Sequence, residues 1–165
     1  AFEKGGDEII NKEYIEAFEK VIGHEGGYVN DKNDRGGETK YGISKRAYPN
    51  VDIASLTKKD AREIHFKDYW KKNRVEELPK DIRFCYFDMC VNIGGSRACK
   101  ILQQTANAKG AKLVVDGRIG RNTIKGSQSV GLQRLKSYRV LYYARIVIKK
   151  PSQEKYWYGW FRRSL

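Results

Sequence analysis

GHEGGYVNDKNDRGGETKYGIS, residues 23–44, interrupts a helical pattern and decides how the chain folds. Its six glycines, with Asn and Asp between them, are too many turn formers for a helix to continue. The stretch predicts a tight loop with two short strands, around Tyr28 and Tyr41. Upstream, Tyr14, Ile15, Phe18, Val21 and Ile22 repeat with helical spacing behind Asn11, which suits an N-cap. Glu25 follows Ile22 by three residues and falls at the edge of that buried face. A small irregular or β-containing lobe should therefore follow an amphipathic helix directly.

Downstream the pattern is helical again. Thr57 and Asp60 have the spacing of a capping box ahead of an aromatic helix that runs through Trp70. Asp81 suits the cap of IRFCYFDMCVNIG, residues 82–94, which is apolar nearly all round and so should be central. Gly94-Gly95 breaks that helix, and Ala98, Ile101, Leu102 and Thr105 mark the next. Asp116-Gly117 makes a turn, and GRNTIKG, residues 120–126, is long enough for a helical turn or two. A long helix from about Val130 to Lys149 shows Leu135, Tyr138, Leu141, Tyr142 and Arg145 on one side, with Pro151 just beyond its end. The fold class expected is mainly α, a helical globule with one small lobe. Two regions, 9–95 and 96–165, are expected to pack into the same globule.

The 165 residues suffice for one domain with a core of its own, and two large domains are excluded. Lys and Arg number 33 against 20 Asp and Glu, a net charge of +13. Residues 1–82 hold 16 bases and 17 acids, whereas residues 83–165 hold 17 and 3, so the second half alone carries +14. No acid occurs from Gly117 to Gln153. Such a surface seeks polyanions: nucleic acid, acidic lipid or a negatively charged wall polymer. No stretch approaches the roughly 20 apolar residues of a spanning helix, and AFEKGGDEII lacks a hydrophobic signal core, so a soluble chain is expected. It starts at Ala1 without Met, which leaves room for a removed leader or anchor. Cys85, Cys90 and Cys99 are odd in number and match no zinc spacing, and with only His24 and His65 elsewhere no metal site is expected. They read as small buried hydrophobes, with a Cys90–Cys99 bridge as the alternative.

Catalytic chemistry narrows by exclusion. No histidine accompanies a nucleophile elbow or a paired cysteine, and the glycine-rich stretch follows a helix rather than a strand and lacks a Gly-Lys-Ser/Thr ending. There remains Glu25 at a helix end, followed by a polar loop with Asp31, Asp34 and Thr39. A carboxyl kept protonated by apolar neighbours can donate to a glycosidic oxygen while an ionised partner, or a water it orients, meets the cationic sugar. Read alone, a Glu at a helix end is more often a capping or salt-bridging residue than a catalyst, and Asp34 suits an Asx turn before Arg35-Gly36. Tyr28 and Tyr41 suit sugar stacking or lobe core. Asp88, a carboxylate inside an apolar helix, needs a partner and is expected to bond a loop backbone rather than to serve as a second catalyst. Asn92, one turn further on, would border a cleft on the same face.

The residues carry a resemblance. His24-Glu25-Gly26-Gly27-Tyr28, Asn30-Asp31, Asn33-Asp34 and Gly36-Gly37-Glu38-Thr39-Lys40-Tyr41-Gly42-Ile43 resemble the signature of the glycoside hydrolase 108 family of peptidoglycan muramidases, which includes phage endolysins and secretion-associated lysozymes. The similarity continues through Leu56-Thr57, Tyr69-Trp70, Phe87-Asp88 and Val91-Asn92. Val115-Asp116-Gly117-Arg118-Ile119-Gly120 and the ending from Tyr142 to Arg162 resemble the peptidoglycan-binding segment that usually follows.

The resemblance implies a lysozyme-like fold, a catalytic region over 9–95 and a peptidoglycan-binding region over 96–165. It places the catalytic role on Glu25. Glu25-x8-Asp34-x4-Thr39 is also similar to the Glu-Asp-Thr arrangement of phage-type lysozymes, one residue shorter between Asp and Thr. Asp34 and Thr39 would complete the catalytic set, and Tyr28, Asp31, Tyr41 and Asn92 would bind substrate. The activity implied is hydrolysis of the β-1,4 bond between N-acetylmuramic acid and N-acetylglucosamine, without a cofactor or metal. Bacterial peptidoglycan is the expected partner, with electrostatic contact to an anionic wall or outer-membrane surface. A monomer is expected, acting in the periplasm or cell wall after export or holin-dependent release. A lytic transglycosylase is the rival on the same bond. A basic nucleic-acid-binding protein, with Tyr138, Tyr142 and Tyr143 among the cations, is the rival of another class, and an inactive wall-binding module is a third.

Overall fold

A computed structural model describes residues 4–22, 27–30 and 37–165, with side chains from Lys12 onward. The chain divides into two compact units, Ala1–Lys72 and Asn73–Leu165. Among the described residues it is mainly α with one small antiparallel sheet, the expected fold class.

In the first unit, helix α1 spans Lys4–Ile22. It begins well before Asn11, which therefore lies inside the helix and does not cap it. The physical reason is that nothing in the DEIIN run stops a helix: it holds no Pro or Gly, and one interior Asn costs only tenths of a kcal/mol, ~0.7 at most. Tyr14, Phe18, Val21 and Ile22 of α1 are buried. The sheet is β1 (Val29–Asn30), β2 (Glu38–Lys40) and β3 (Ile43–Ser44), with β2 central. Tyr41 is not in a strand, contrary to expectation. It and Gly42 have φ of +52° and +75° and form the two-residue turn between paired Lys40 and Ile43. Positive φ at both turn positions matches the right-handed twist of a tight hairpin, a demand that outweighs the strand propensity of Tyr.

Helix α2 (Lys58–His65) starts on the expected capping box, with Asp60 N–H donating to Thr57 Oγ1 at 3.1 Å and Thr57 N–H to Asp60 Oδ2 at 3.2 Å. From Phe66 to Lys71 the helix widens to π geometry, marked by Lys72 N–H reaching back five residues to the Lys67 carbonyl. Trp70 is thereby buried, its ring 5.5 Å from that of Tyr14, whose hydroxyl donates to the Arg62 carbonyl at 2.6 Å.

The second unit opens with a 3₁₀ turn, Val75–Glu77, and continues through α3 (Lys80–Ile93), α4 (Gly95–Ala108), α5 (Arg121–Gly126), α6 (Leu132–Lys149), a 3₁₀ turn (Pro151–Tyr156) and α7 (Trp157–Ser164). Pro79, not Asp81, occupies the N-cap of α3. Proline fixes φ near helical values without needing its missing N–H, so the helix starts two residues earlier and Asp81 falls in its first turn, where its charge still fits the dipole. Ile82, Cys85, Tyr86, Phe87, Met89 and Cys90 are buried, as a central helix requires. All three cysteines are free, so the bridge alternative is excluded. Burial pushes their thiols up, Cys99 to about 11, which leaves them unreactive near neutral pH.

Helix α6 corrects two readings. Its inward stripe is Leu135, Arg139 and Tyr143, whereas Leu141 and Arg145 are exposed. An arginine faces the core because Asp88 meets it there. Arg139 Nη2 donates to Asp88 Oδ2 at 2.6 Å, and Arg163 of α7 donates to Asp88 Oδ1 at 3.1 Å. Asp88 is thus a structural acid, but its partners are two guanidiniums rather than a loop backbone. Geometry of this kind is what allows a carboxylate 6% exposed to stay in a core.

Buried Gln103 of α4 organises the Asp116-Gly117 turn. Its Nε2 donates to Asp116 Oδ1 (3.0 Å), Thr123 Oγ1 (3.0 Å) and the Arg118 carbonyl (3.3 Å), and its Oε1 accepts from Gly117 N–H at 3.0 Å. Gly117 has φ of +76°, and a Cβ there would lie 2.8 Å from the Ser96 carbonyl oxygen. Gly117→Ala is expected to cost about 1–3 kcal/mol. Urea unfolding measures this, and an unchanged midpoint would mean that the turn relaxes freely.

Candidate functional site

The described part of the site is the β2–β3 hairpin. Thr39 sits in the central strand, paired with Val29 on one side and Ser44 on the other, and is half-buried. Pairing on both sides fixes its backbone, so its side chain is held on one face of the sheet with Val29 and Ser44. Tyr28 stands just before β1 and is 45% exposed, which excludes it from the lobe core. Its hydroxyl donates to Glu38 Oε2 at 2.7 Å, and that bond raises the phenol's pKa, keeping it a protonated donor.

Tyr41 is half-buried at the turn. Lys40 crosses its ring, with Nζ 5.7 Å from the centroid, and donates to the Ala54 carbonyl at 3.0 Å. The hairpin is supported from below by His65, whose Nε2 donates to the Tyr41 carbonyl at 2.8 Å. His65 is fully buried beside the Phe18 and Tyr69 rings, and its Nδ1 has no hydrogen-bond partner among the described residues, the arrangement of a neutral imidazole. A Cβ on Gly42 would approach this ring to 3.2 Å, so the turn lies directly on it.

Burial lowers the His65 pKa below its ordinary value of 6.5, only partly offset by its bond to the Tyr41 carbonyl. The unfolded chain therefore takes up the proton at higher pH than the folded one. The stability this gives the first unit is present above about pH 6.5 and is lost as pH falls through the lower folded value. His65→Gln should flatten the melting temperature between pH 7 and pH 5, a range of about two units around the unfolded value. Parallel slopes in the two proteins would count against it.

Of the residues named from sequence, Thr39 and Tyr41 lie in this hairpin, and Tyr28 stands at the neighbouring strand, bonded to Glu38. Glu25, Asp31 and Asp34 lie outside the described residues. Asn92 is on α3 of the second unit, four residues beyond Asp88, and its Nδ2 donates to the Tyr143 hydroxyl. Sequence reasoning passed over Glu38 and His65. Glu38 carries no signal beyond its place in the Gly-Gly-Glu-Thr run, and its role depends on the strand register. Among the described residues, no three His, Cys, Asp or Glu side chains converge to hold a metal ion.

The glycosyl hydrolase 108 family matches residues 18–94, and a family described as "Predicted Peptidoglycan domain" matches residues 97–165. No curated protein matches the chain. Among solved structures, SagA of Brucella abortus is similar at 26% identity with a TM-score of 0.75, over 92% of this chain and 88% of that one. With two family matches lying end to end and a similar fold over nearly its whole length, the chain carries a glycosyl hydrolase 108 region over residues 18–94 and is a glycoside hydrolase that acts on peptidoglycan.

Proposed function

We propose that the enzyme is an N-acetylmuramidase that hydrolyses the β-1,4 bond between N-acetylmuramic acid and N-acetylglucosamine, with Glu25 as general acid. The observation that carries this reading is the position of Glu25 within the glycosyl hydrolase match, between the end of α1 at Ile22 and the sheet that fixes Thr39. Glu25 donates its proton to the departing glycosidic oxygen. Asp34 orients a water, with the Thr39 hydroxyl as a second acceptor, for attack on the opposite face of the sugar. Tyr28, Asp31 and Tyr41 contact the glycan. Exposure of Tyr28 and rigid backing of Tyr41 support those two assignments.

This route inverts the anomeric centre in a single displacement. It requires carboxyls roughly 6.5–9.5 Å apart, whereas about 5 Å would go with retention. The basic second half adds attraction to an anionic wall or outer-membrane surface, and the enzyme works as a monomer where peptidoglycan lies, in the periplasm or cell wall. An endolysin or a secretion-associated lysozyme would each reach that place, by holin-dependent release or by export. Digestion of purified sacculi followed by mass spectrometry tests the reading. Reducing muramic acid ends are expected. Anhydro ends would replace the hydrolase by a lytic transglycosylase, and salt-sensitive nucleic-acid binding without any soluble product would replace the enzyme altogether.

A further inference from the structure

The second unit holds an open groove of about 860 Å³ between the 111–118 segment and α5. Its charged rim consists of Lys112, Arg118, Arg121 and Lys125, opposed among the described residues by a single carboxylate, Asp116. That carboxylate is already engaged, accepting from Gln103 Nε2 at 3.0 Å and from Arg118 N–H at 2.9 Å, and these bonds lower its pKa and hold it ionised. Lys112, Arg121 and Lys125 have no ion-pair partner among the described residues. Between the cations the lining is aliphatic, with Leu113 and a Val114 that is 77% exposed. Among the described residues no aromatic ring lines the groove.

This is a preorganised site rather than a mobile charged patch. Gln103, 1% exposed, makes four hydrogen bonds that pin the loop from Asp116 to Thr123, so the backbone carrying Arg118 and Arg121 is fixed before any ligand arrives. The lining also selects the ligand. A glycan calls for flat aromatic platforms, which the groove lacks. A cluster of guanidinium and ammonium groups around aliphatic contacts instead fits a short chain with methyl groups and free carboxylates, to which arginine forks can bond bidentately.

We infer that this groove binds the peptide arm of peptidoglycan through its free carboxylates, with Arg118, Arg121, Lys112 and Lys125 as the recognising residues. The inference rests on peptidoglycan being the substrate, and it adds a peptide-reading site in the second unit to a glycan-cleaving site in the first. Such a site makes affinity depend on the cross-linking and amidation of the wall, since both remove carboxylates.

The test is a titration of the isotopically labelled full chain at low salt, followed by NMR. The probes are the free stem tetrapeptide, the same peptide with its carboxyls amidated, a peptide-free glycan, and inorganic phosphate. The free tetrapeptide is expected to shift the amides of residues 112–126, with amidation weakening binding about tenfold or more. Arg118→Gln with Arg121→Gln should weaken the free peptide to a similar extent while hydrolysis of the peptide-free glycan is unchanged. Should that double variant melt early, Lys125→Gln is read in its place. Equal affinity for the amidated peptide, or shifts of equal strength from glycan or phosphate, overturns the assignment. Failure of the muramidase reading shows separately, as absence of glycan hydrolysis by the unmodified chain.

Discussion

Replacing Glu25 by Gln is expected to slow wall hydrolysis by roughly 10²–10⁴-fold, the usual worth of a positioned general acid. Gln has the shape of Glu and can still hydrogen-bond the glycosidic oxygen, but it has no proton to give. The loss should therefore fall on kcat and leave KM nearly unchanged, because ground-state contacts persist while the leaving oxygen departs unprotonated. Glu25→Asp keeps the proton but draws it back by one methylene, so an intermediate rate is expected. Release of reducing ends from purified sacculi measures both variants. Full activity in Glu25→Gln would remove the residue from the mechanism, and a raised KM with normal kcat would make it a binding group.

The largest effect on stability is expected at Asp88. Asp88→Ala would leave Arg139, 2% exposed, without its ion pair in the core, and the Nε of that guanidinium already lacks a hydrogen-bond partner among the described residues. Breaking a buried pair from one side costs about 3–5 kcal/mol, since the remaining charge is neither solvated nor paired. Arg139→Ala should cost less, because Asp88 keeps Arg163 at 3.1 Å. Arg163→Ala should cost least, its side chain being 26% exposed and in reach of water. Chemical denaturation of the three variants tests the order. A loss under about 1 kcal/mol for Asp88→Ala, the level of a surface pair, would show that water reaches this cluster.

The same cluster marks where the sequence stopped being informative. Local rules worked: the Thr57–Asp60 capping box and the helix break at Gly94 depend on neighbours a few residues away, and both are present. Asp88 was recognisable as a carboxylate that needed a partner, but nothing local identifies residues 51 and 75 positions later. For the same reason a hydrophobic count along α6 missed Arg139, since a charged residue joins an inward stripe only when its counterion waits there. Residues 66–71 read as helix, but the extra residue that makes the turn π leaves no mark in composition. In the site, the glycine-rich run announced a turn-rich loop with short strands, while the hairpin turn at Tyr41, its positive φ and the support from His65 follow from the strand pairing and the packing beneath it.

The bond between Asp88 and Arg163 also orders events in time. A growing chain makes α3 long before α7, so until Arg163 is available its acidic core residue has at most one of its two counterions. The second unit reaches its final charge balance only after this whole span has been synthesised, and contacts of such separation close slowly. The core of the finished unit thus draws one of its counterions from the last helix of the chain, so α7 is part of the charge balance of α3 and not an appendage to it.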